Sequence, residues 1–172
     1  MAGSVPATRE GARKIVGALE SAGVTLVATV PDTWIGWLAD ELRPSPRVKV
    51  VDVAREEEAV AVACGASLAG GRGVVLIQNA GLLNCGAVIA SLVRLYRIPC
   101  LLLVSYRGDE RDPIYYHAPK GAATEPTLQA WGIRHTRAAG PDRVGDQVRQ
   151  GLAWIDEAQA PFALLFSGED LA

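Results

Sequence analysis

The sequence is poor in the residues that mark specialised protein classes. Its 172 residues include three cysteines, two histidines and one methionine, with aromatic residues at 6%. Cys64, Cys85 and Cys100 are odd in number and stand singly among Ala, Val, Ile and Leu, which points to buried reduced thiols rather than a disulfide framework or a metal site. Long apolar runs are also missing. Val74 to Ile77 and Ile98 to Val104 are far too short to span a bilayer, and the stretch around Arg9, Glu10, Arg13 and Lys14 lacks a signal-peptide core. A cytoplasmic protein without a membrane partner is expected. A net charge of -2 leaves no basic field for a phosphate backbone, so nucleic acid is not an expected partner. Nucleotide and hydrolase signatures are absent too. No G-x-G-x-x-G follows a strand, and the run from Gly65 to Arg72 lacks the Lys-Ser/Thr pair of a phosphate loop. Ser67, Ser91 and Ser105 lack a nucleophile-elbow context, and His117 and His135 are the two histidines.

What is present is one ordinary globular domain, spanning residues 1–172, with 49% hydrophobic and 21% charged residues. Helical and strand patterns alternate along it. Thr8 to Ala22 carries apolar residues at helical spacing and stops at Gly23; Val24 to Val30 is a β-branched run closed by Pro31 and Asp32; Thr33 to Leu42 is again helical. Val48 to Val53, Gly73 to Gln78, Ile98 to Ser105, Ile133 to Thr136 and Phe162 to Ser167 read as strands. Arg55 to Ala69, Leu82 to Tyr96, Glu125 to Trp131 and Pro141 to Asp156 read as helices. Tyr106 to Thr124, with Pro113, Pro119 and Gly121, reads as a long mobile loop. Several strands are apolar without alternation, as parallel strands buried on both faces are. The expected fold is therefore α/β: a doubly wound, mostly parallel six-stranded sheet with helices on both faces and ligands at the carboxyl ends of the strands.

Three segments just beyond strands carry candidate chemistry: Pro31-Asp32-Thr33, Arg55-Glu56-Glu57-Glu58 and Asn79 to Asn84. Each also has an ordinary structural reading. Asp32 or Thr33 suits a helix N-cap, three acids suit the positive end of a helix dipole, and Asn79 and Gly81 suit a turn.

Taken in order, these motifs form a recognisable set. Asp52 to Ala66 (DVAREEEAVAVACGA) resembles the glutamate-bearing helix start of the pyrimidine-binding domain of thiamine diphosphate enzymes. The match is to the sulfopyruvate and phosphonopyruvate decarboxylases. Leu76 to Asn84 (LIQNAGLLN), Ile98-Pro99 with its apolar strand, Val30 to Thr33, and Tyr106-Arg107-Gly108-Asp109 resemble the same family in the same order. Leu83 stands where a second family glycine is usual, and Lys120-Gly121-Ala122-Ala123-Thr124 lacks the basic residue usual after that glycine. Both departures bear on substrate identity.

The resemblance implies a thiamine diphosphate-dependent 2-oxo acid decarboxylase acting on 3-sulfopyruvate or 3-phosphonopyruvate, yielding an aldehyde and carbon dioxide. Glu56 would be the catalytic carboxylate that shares a proton with the cofactor's pyrimidine ring. Pro31, Asn79, Gly81 and Asn84 would line the cofactor; Asp32 and Thr33 would face the substrate or relay a proton. His117 and Lys120 could meet the anionic tail or shuttle a proton, or be solvated loop residues. The Gly-Asp-Gly motif that binds Mg2+ and the diphosphate does not occur, so no metal ligand is assigned to this chain. The resemblance thus implies an α subunit whose β-subunit partner carries the diphosphate-binding domain and the Mg2+, in a hetero-oligomer with sites at interfaces. A carboligase subunit forming acyloins and a non-catalytic scaffold or regulatory domain of the same fold stay open as alternatives.

Overall fold

A computed structural model describes residues 9–172; the start of the first expected helix, at Thr8, lies outside them. Six strands form one sheet in the order β2-β1-β3-β4-β6-β5, with every neighbouring pair parallel. The strands are β1 (Leu26–Thr29), β2 (Lys49–Asp52), β3 (Gly73–Gln78), β4 (Leu101–Ser105), β5 (Arg134–Arg137) and β6 (Phe162–Phe166). All of β4 and β6 and most of β3 are buried, which is why they carry apolar residues on both faces. The fully parallel sheet matches the expected doubly wound class.

The parity of the strands sorts the core into two layers. Val27, Leu76, Leu103 and Leu164 face one side, where α1 (Glu10–Ser21), α2 (Thr33–Leu42) and α7 (Val144–Ala158) pack through Ile15, Leu38 and Leu152. Ala28, Ile77, Leu102 and Leu165 face the other, covered by α3 (Glu56–Leu68) and α6 (Ala118–Ala130) and by the helical stretch 79–94. That stretch begins as α4 (Asn79–Leu82), tightens to a 3-10 turn at Leu83–Cys85, passes through α5 (Gly86–Val88) and widens to a π-helix at Ile89–Arg94. Cys64, Cys85 and Cys100 are buried free thiols, as their apolar settings foretold, and burial pushes the Cys85 thiol up to about 12.

Two expectations need correction. The helix expected from Leu82 starts at Asn79, immediately after β3, so Asn79 and Gly81 belong to a helical turn rather than a loop. The expected loop from Tyr106 to Thr124 is also shorter: a 3-10 turn at Tyr115–His117 runs into α6, which begins at Ala118. Pro119 misled the reading because it stands in the first turn of α6, where a missing N–H leaves no bond unmade. His117 and Lys120 are therefore not residues of a mobile loop.

From β1 the chain winds outward to β2 and then returns past β1 to β3. The strand order therefore reverses between β1 and β3, and a crevice opens beyond their carboxyl ends. Leu103, fully buried in the middle of β4, touches the larger core layer and anchors this frame. Leu103→Ala is expected to destabilise the fold by about 2–5 kcal/mol, read from urea unfolding, as a cavity in rigid surroundings does. A loss below that range would mean that the sheet centre relaxes around the gap.

Candidate active site

Four residues beyond β2, α3 opens with three consecutive acids that the structure sorts into different roles. The Glu58 carboxylate turns back and accepts hydrogen bonds from the N–H groups of Ala54 (3.0 Å) and Arg55 (3.2 Å). Glu57 accepts from the Arg55 guanidinium at 2.9 Å, which holds its carboxyl below the ordinary range. Glu56 is half-buried, and its carboxylate takes no hydrogen bond and no ion pair among the described residues. Its side chain lies against Gly81 of α4, where a Cβ would occupy the same space as the Glu56 side chain. Glycine at 81 is thus a steric requirement for the position of this carboxylate.

A second carboxylate occupies the crevice at the end of β1. Asp32 caps α2, its Oδ1 accepting from the Ile35 N–H at 2.9 Å. Its Oδ2 accepts from Gln78 Nε2 at 2.7 Å, Arg107 Nη2 at 3.2 Å and Ser105 Oγ at 3.4 Å, which ties together the ends of β1, β3 and β4. The Arg107 guanidinium stacks over Trp34 with 3.4 Å from Cζ to the ring centroid. Arg107 and Asp32 are 11% and 15% exposed, so the pair is only weakly screened by water.

Asn79 is fully buried and its amide serves this chain. Nδ2 donates to the Arg107 carbonyl (2.8 Å) and to Thr124 Oγ1 (2.9 Å), while Oδ1 accepts from the Arg107 N–H at 3.2 Å. The amide expected to line the cofactor thus clamps the Arg107 backbone, and each of its polar atoms has a partner in this chain. Asn84 is exposed in the 3-10 turn beyond α4, and Pro31 and Thr33 are exposed beside Asp32 at the crevice.

His117 is buried, with Nδ1 2.7 Å from Asp112 Oδ2. The carboxylate can only accept, so Nδ1 carries the proton and Nε2 is left with the lone pair when the ring is neutral. Burial pushes the Asp112 carboxyl up, but the N–H groups of Ile114 and Gly108 and the His117 ring outweigh it and hold the group below its ordinary range. Lys120 sits in the first turn of α6, half-buried, and its ammonium makes no ion pair among the described residues. Sequence reasoning gave no role to Arg107, Trp34, Gln78 or Asp112. Arg107 lay within a recognised motif, but its contacts come from two other segments, Asp32 and Trp34 after β1 and Asn79 after β3. No group of three or more potential metal ligands exists among the described residues, and no helix among them is long and apolar enough to cross a membrane.

A parallel α/β domain with an unpaired carboxylate propped beside its switch-point crevice is the architecture of a cofactor-binding domain. The chain belongs to the family described as thiamine pyrophosphate enzyme, N-terminal TPP binding domain, which matches residues 9–131. It is 31% identical over 148 residues to the sulfopyruvate decarboxylase subunit alpha of Methanococcus maripaludis, covering 86% of this chain and 89% of that one. The protein of the same name from Methanocaldococcus jannaschii is 30% identical, with 91% and 92% covered. A phosphonopyruvate decarboxylase of Streptomyces viridochromogenes is 38% identical over 109 residues, 62% of this chain but 28% of the longer relative. Benzoylformate decarboxylase from Polynucleobacter necessarius shares the fold at a TM-score of 0.74 and 20% identity, over 95% of this chain and 31% of that one.

Two outcomes test this geometry. Gly81→Ala favours the helix by propensity, yet its methyl would displace the Glu56 carboxylate. Stability to urea is expected to hold while calorimetric affinity of the assembled enzyme for thiamine diphosphate falls on the order of 10-fold, the scale of one charge-assisted hydrogen bond. Unchanged affinity would show that the carboxylate has no part in binding. For Asp112, the depressed carboxyl adds stability that is present above the unfolded value near 4 and is lost as pH falls through the lower folded value. Asp112→Asn is expected to lower stability at pH 7 and to flatten its decline below about pH 4. Parallel curves for the two proteins would remove Asp112 from the acid transition.

Proposed function

We propose that this chain is the α subunit of a thiamine diphosphate-dependent decarboxylase whose substrate is a short 2-oxo acid bearing a 3-sulfonate or 3-phosphonate. The single observation that carries the reading is the Glu56 carboxylate, unpaired and seated on Gly81 beside the switch-point crevice. A carboxylate without internal donors is suited to the ring nitrogen of an aminopyrimidine, and a glycine that a Cβ would fill fixes its place. The names of the relatives supply the substrate class.

Thiamine diphosphate, when bound, supplies the electron sink for the pair left behind as carbon dioxide departs. Glu56 would share one proton with a ring nitrogen of the bound pyrimidine, as acid to the neutral ring or as carboxylate to the protonated one, which a glutamine cannot do. Asp32 and His117 are the proton-transfer candidates, one held by three side-chain donors and a helix start, the other oriented by Asp112. Pro31, Thr33 and Asn84 are the exposed residues able to border the ligand, and Lys120 is a cation within reach of the same edge. The diphosphate and its Mg2+ belong to a β subunit, which the subunit-alpha names of relatives of nearly the same length support. The site is then completed at a subunit interface in the cytoplasm.

Glu56→Gln in the assembled enzyme is expected to lower kcat by on the order of 10²-fold or more, the usual scale for a lost acid or base. Near-normal turnover would overturn the assignment. The chain alone is expected to bind thiamine diphosphate poorly by calorimetry and to release no carbon dioxide. Full activity without a partner would refute the divided site.

A further inference from the structure

We infer that Arg107 binds the anionic group of the substrate that stays behind when carbon dioxide leaves, an inference that rests on the decarboxylase reading above.

Arg107 is the most firmly placed cation at the carboxyl edge of the sheet. Its backbone N–H and carbonyl are both held by the Asn79 amide, at 3.2 and 2.8 Å. Its guanidinium stacks on the Trp34 ring and pairs through Nη2 with the Asp32 carboxylate. Asp32 takes only Nη2 of the guanidinium, and Nε is buried without a hydrogen-bond partner. A guanidinium has five N–H donors in a planar fork, and a buried donor without an acceptor is costly. An oxyanion laid along the free edge of the fork would satisfy it, since carboxylate, sulfonate and phosphonate oxygens all match that geometry.

The other cations of this edge are already saturated or lack such a seat. Arg111 faces Asp109 at 2.9 Å and Glu169 and Asp170 at 3.7 Å. Arg137 is held by Glu110 and Glu125. Arg107 has one acid, Asp32, whose two oxygens are also engaged by the Ile35 N–H, Gln78 and Ser105. The Asp32 charge is thus distributed over four donors, of which only one, Nη2, belongs to the guanidinium.

The chemistry decides which anion belongs there. The carboxylate of a 2-oxo acid loses its charge as it becomes carbon dioxide, so a cation bound to it would favour the ground state over the transition state and slow the reaction. A sulfonate or phosphonate on carbon 3 keeps its charge throughout. A guanidinium on that group orients the substrate without opposing the bond cleavage, and it selects against 2-oxo acids that lack the second anion.

The test uses the enzyme assembled with its partner subunit and the variants Arg107→Gln and Arg107→Lys. The ratio of kcat/KM for 3-sulfopyruvate or 3-phosphonopyruvate to that for pyruvate is expected to fall about 10- to 100-fold in Arg107→Gln. Arg107→Lys, which keeps the charge but not the fork, is expected to lie between. Competitive inhibition by 3-sulfopropionate should weaken in the same order. If both substrate classes lose kcat/KM by the same factor in both variants, Arg107 acts only by holding Asp32 and the inference is overturned. A wild-type enzyme that prefers pyruvate to both dianions would instead sink the parent reading, and this one with it.

Discussion

The site depends on one close approach, that of the Glu56 side chain to the bare backbone of Gly81. It follows from topology. With β1 between β2 and β3, α3 must cross from the end of β2 over β1 to the start of β3, and the helical stretch leaving β3 packs on the same face. The first turns of these two helices therefore converge at the carboxyl edge. A side chain at position 81 would fill the space where they meet; its absence leaves room for a carboxylate. Glu57 and Glu58 take up the local electrostatics, one paired with Arg55 and one returned to the backbone, so neither competes for the seat.

Asp32 joins a local cap and a long-range anchor in one side chain. Its Oδ1 caps α2, the usual role of an aspartate before an apolar helix, while Oδ2 gathers donors from β3 and from the segment after β4. Asn79 works in the opposite direction: a residue expected to face a ligand is instead buried and holds the backbone of Arg107 and the hydroxyl of Thr124. The Gly108 and Gly121 pair supports the same corner. Gly108 has φ +84°, and a Cβ on either residue would run into backbone across the gap, so the post-β4 segment and α6 lie in direct backbone contact.

The periodic elements were legible in the sequence because their signals are local. The Thr33–Leu42 helix and the Gly73–Gln78 strand fall on the expected residues, and unbroken apolar strands announced a parallel sheet. Failure came where a residue type has two meanings. Pro119 reads as a loop marker but is harmless in a first helical turn, and Asn79 with Gly81 reads as a turn but opens a helix. Within the site, Glu56 and Gly81 were each visible, yet their contact was not, since it links segments 25 residues apart through the strand order. Arg107 was hidden for the same reason: its partners Asp32, Trp34 and Asn79 lie beyond the ends of other strands.

The exposure of this edge bears on why the proposed site would be shared. Proton sharing between a carboxylate and a ring nitrogen is effective only where water is kept away, because bulk solvent weakens the hydrogen bond and competes for both partners. Glu56 is half-exposed in this chain, and Tyr115 and Tyr116, just before His117, are 86% and 61% exposed. The domain fixes the position of the acid but does not supply the dry surroundings that the acid's chemistry needs. In the proposed reading, a partner covering the edge would bring apolar surface as well as the groups that hold a diphosphate, and exposed aromatic side chains suit contact with such a surface. In the proposed divided site, positioning by this chain and desolvation by a partner would then be separate contributions.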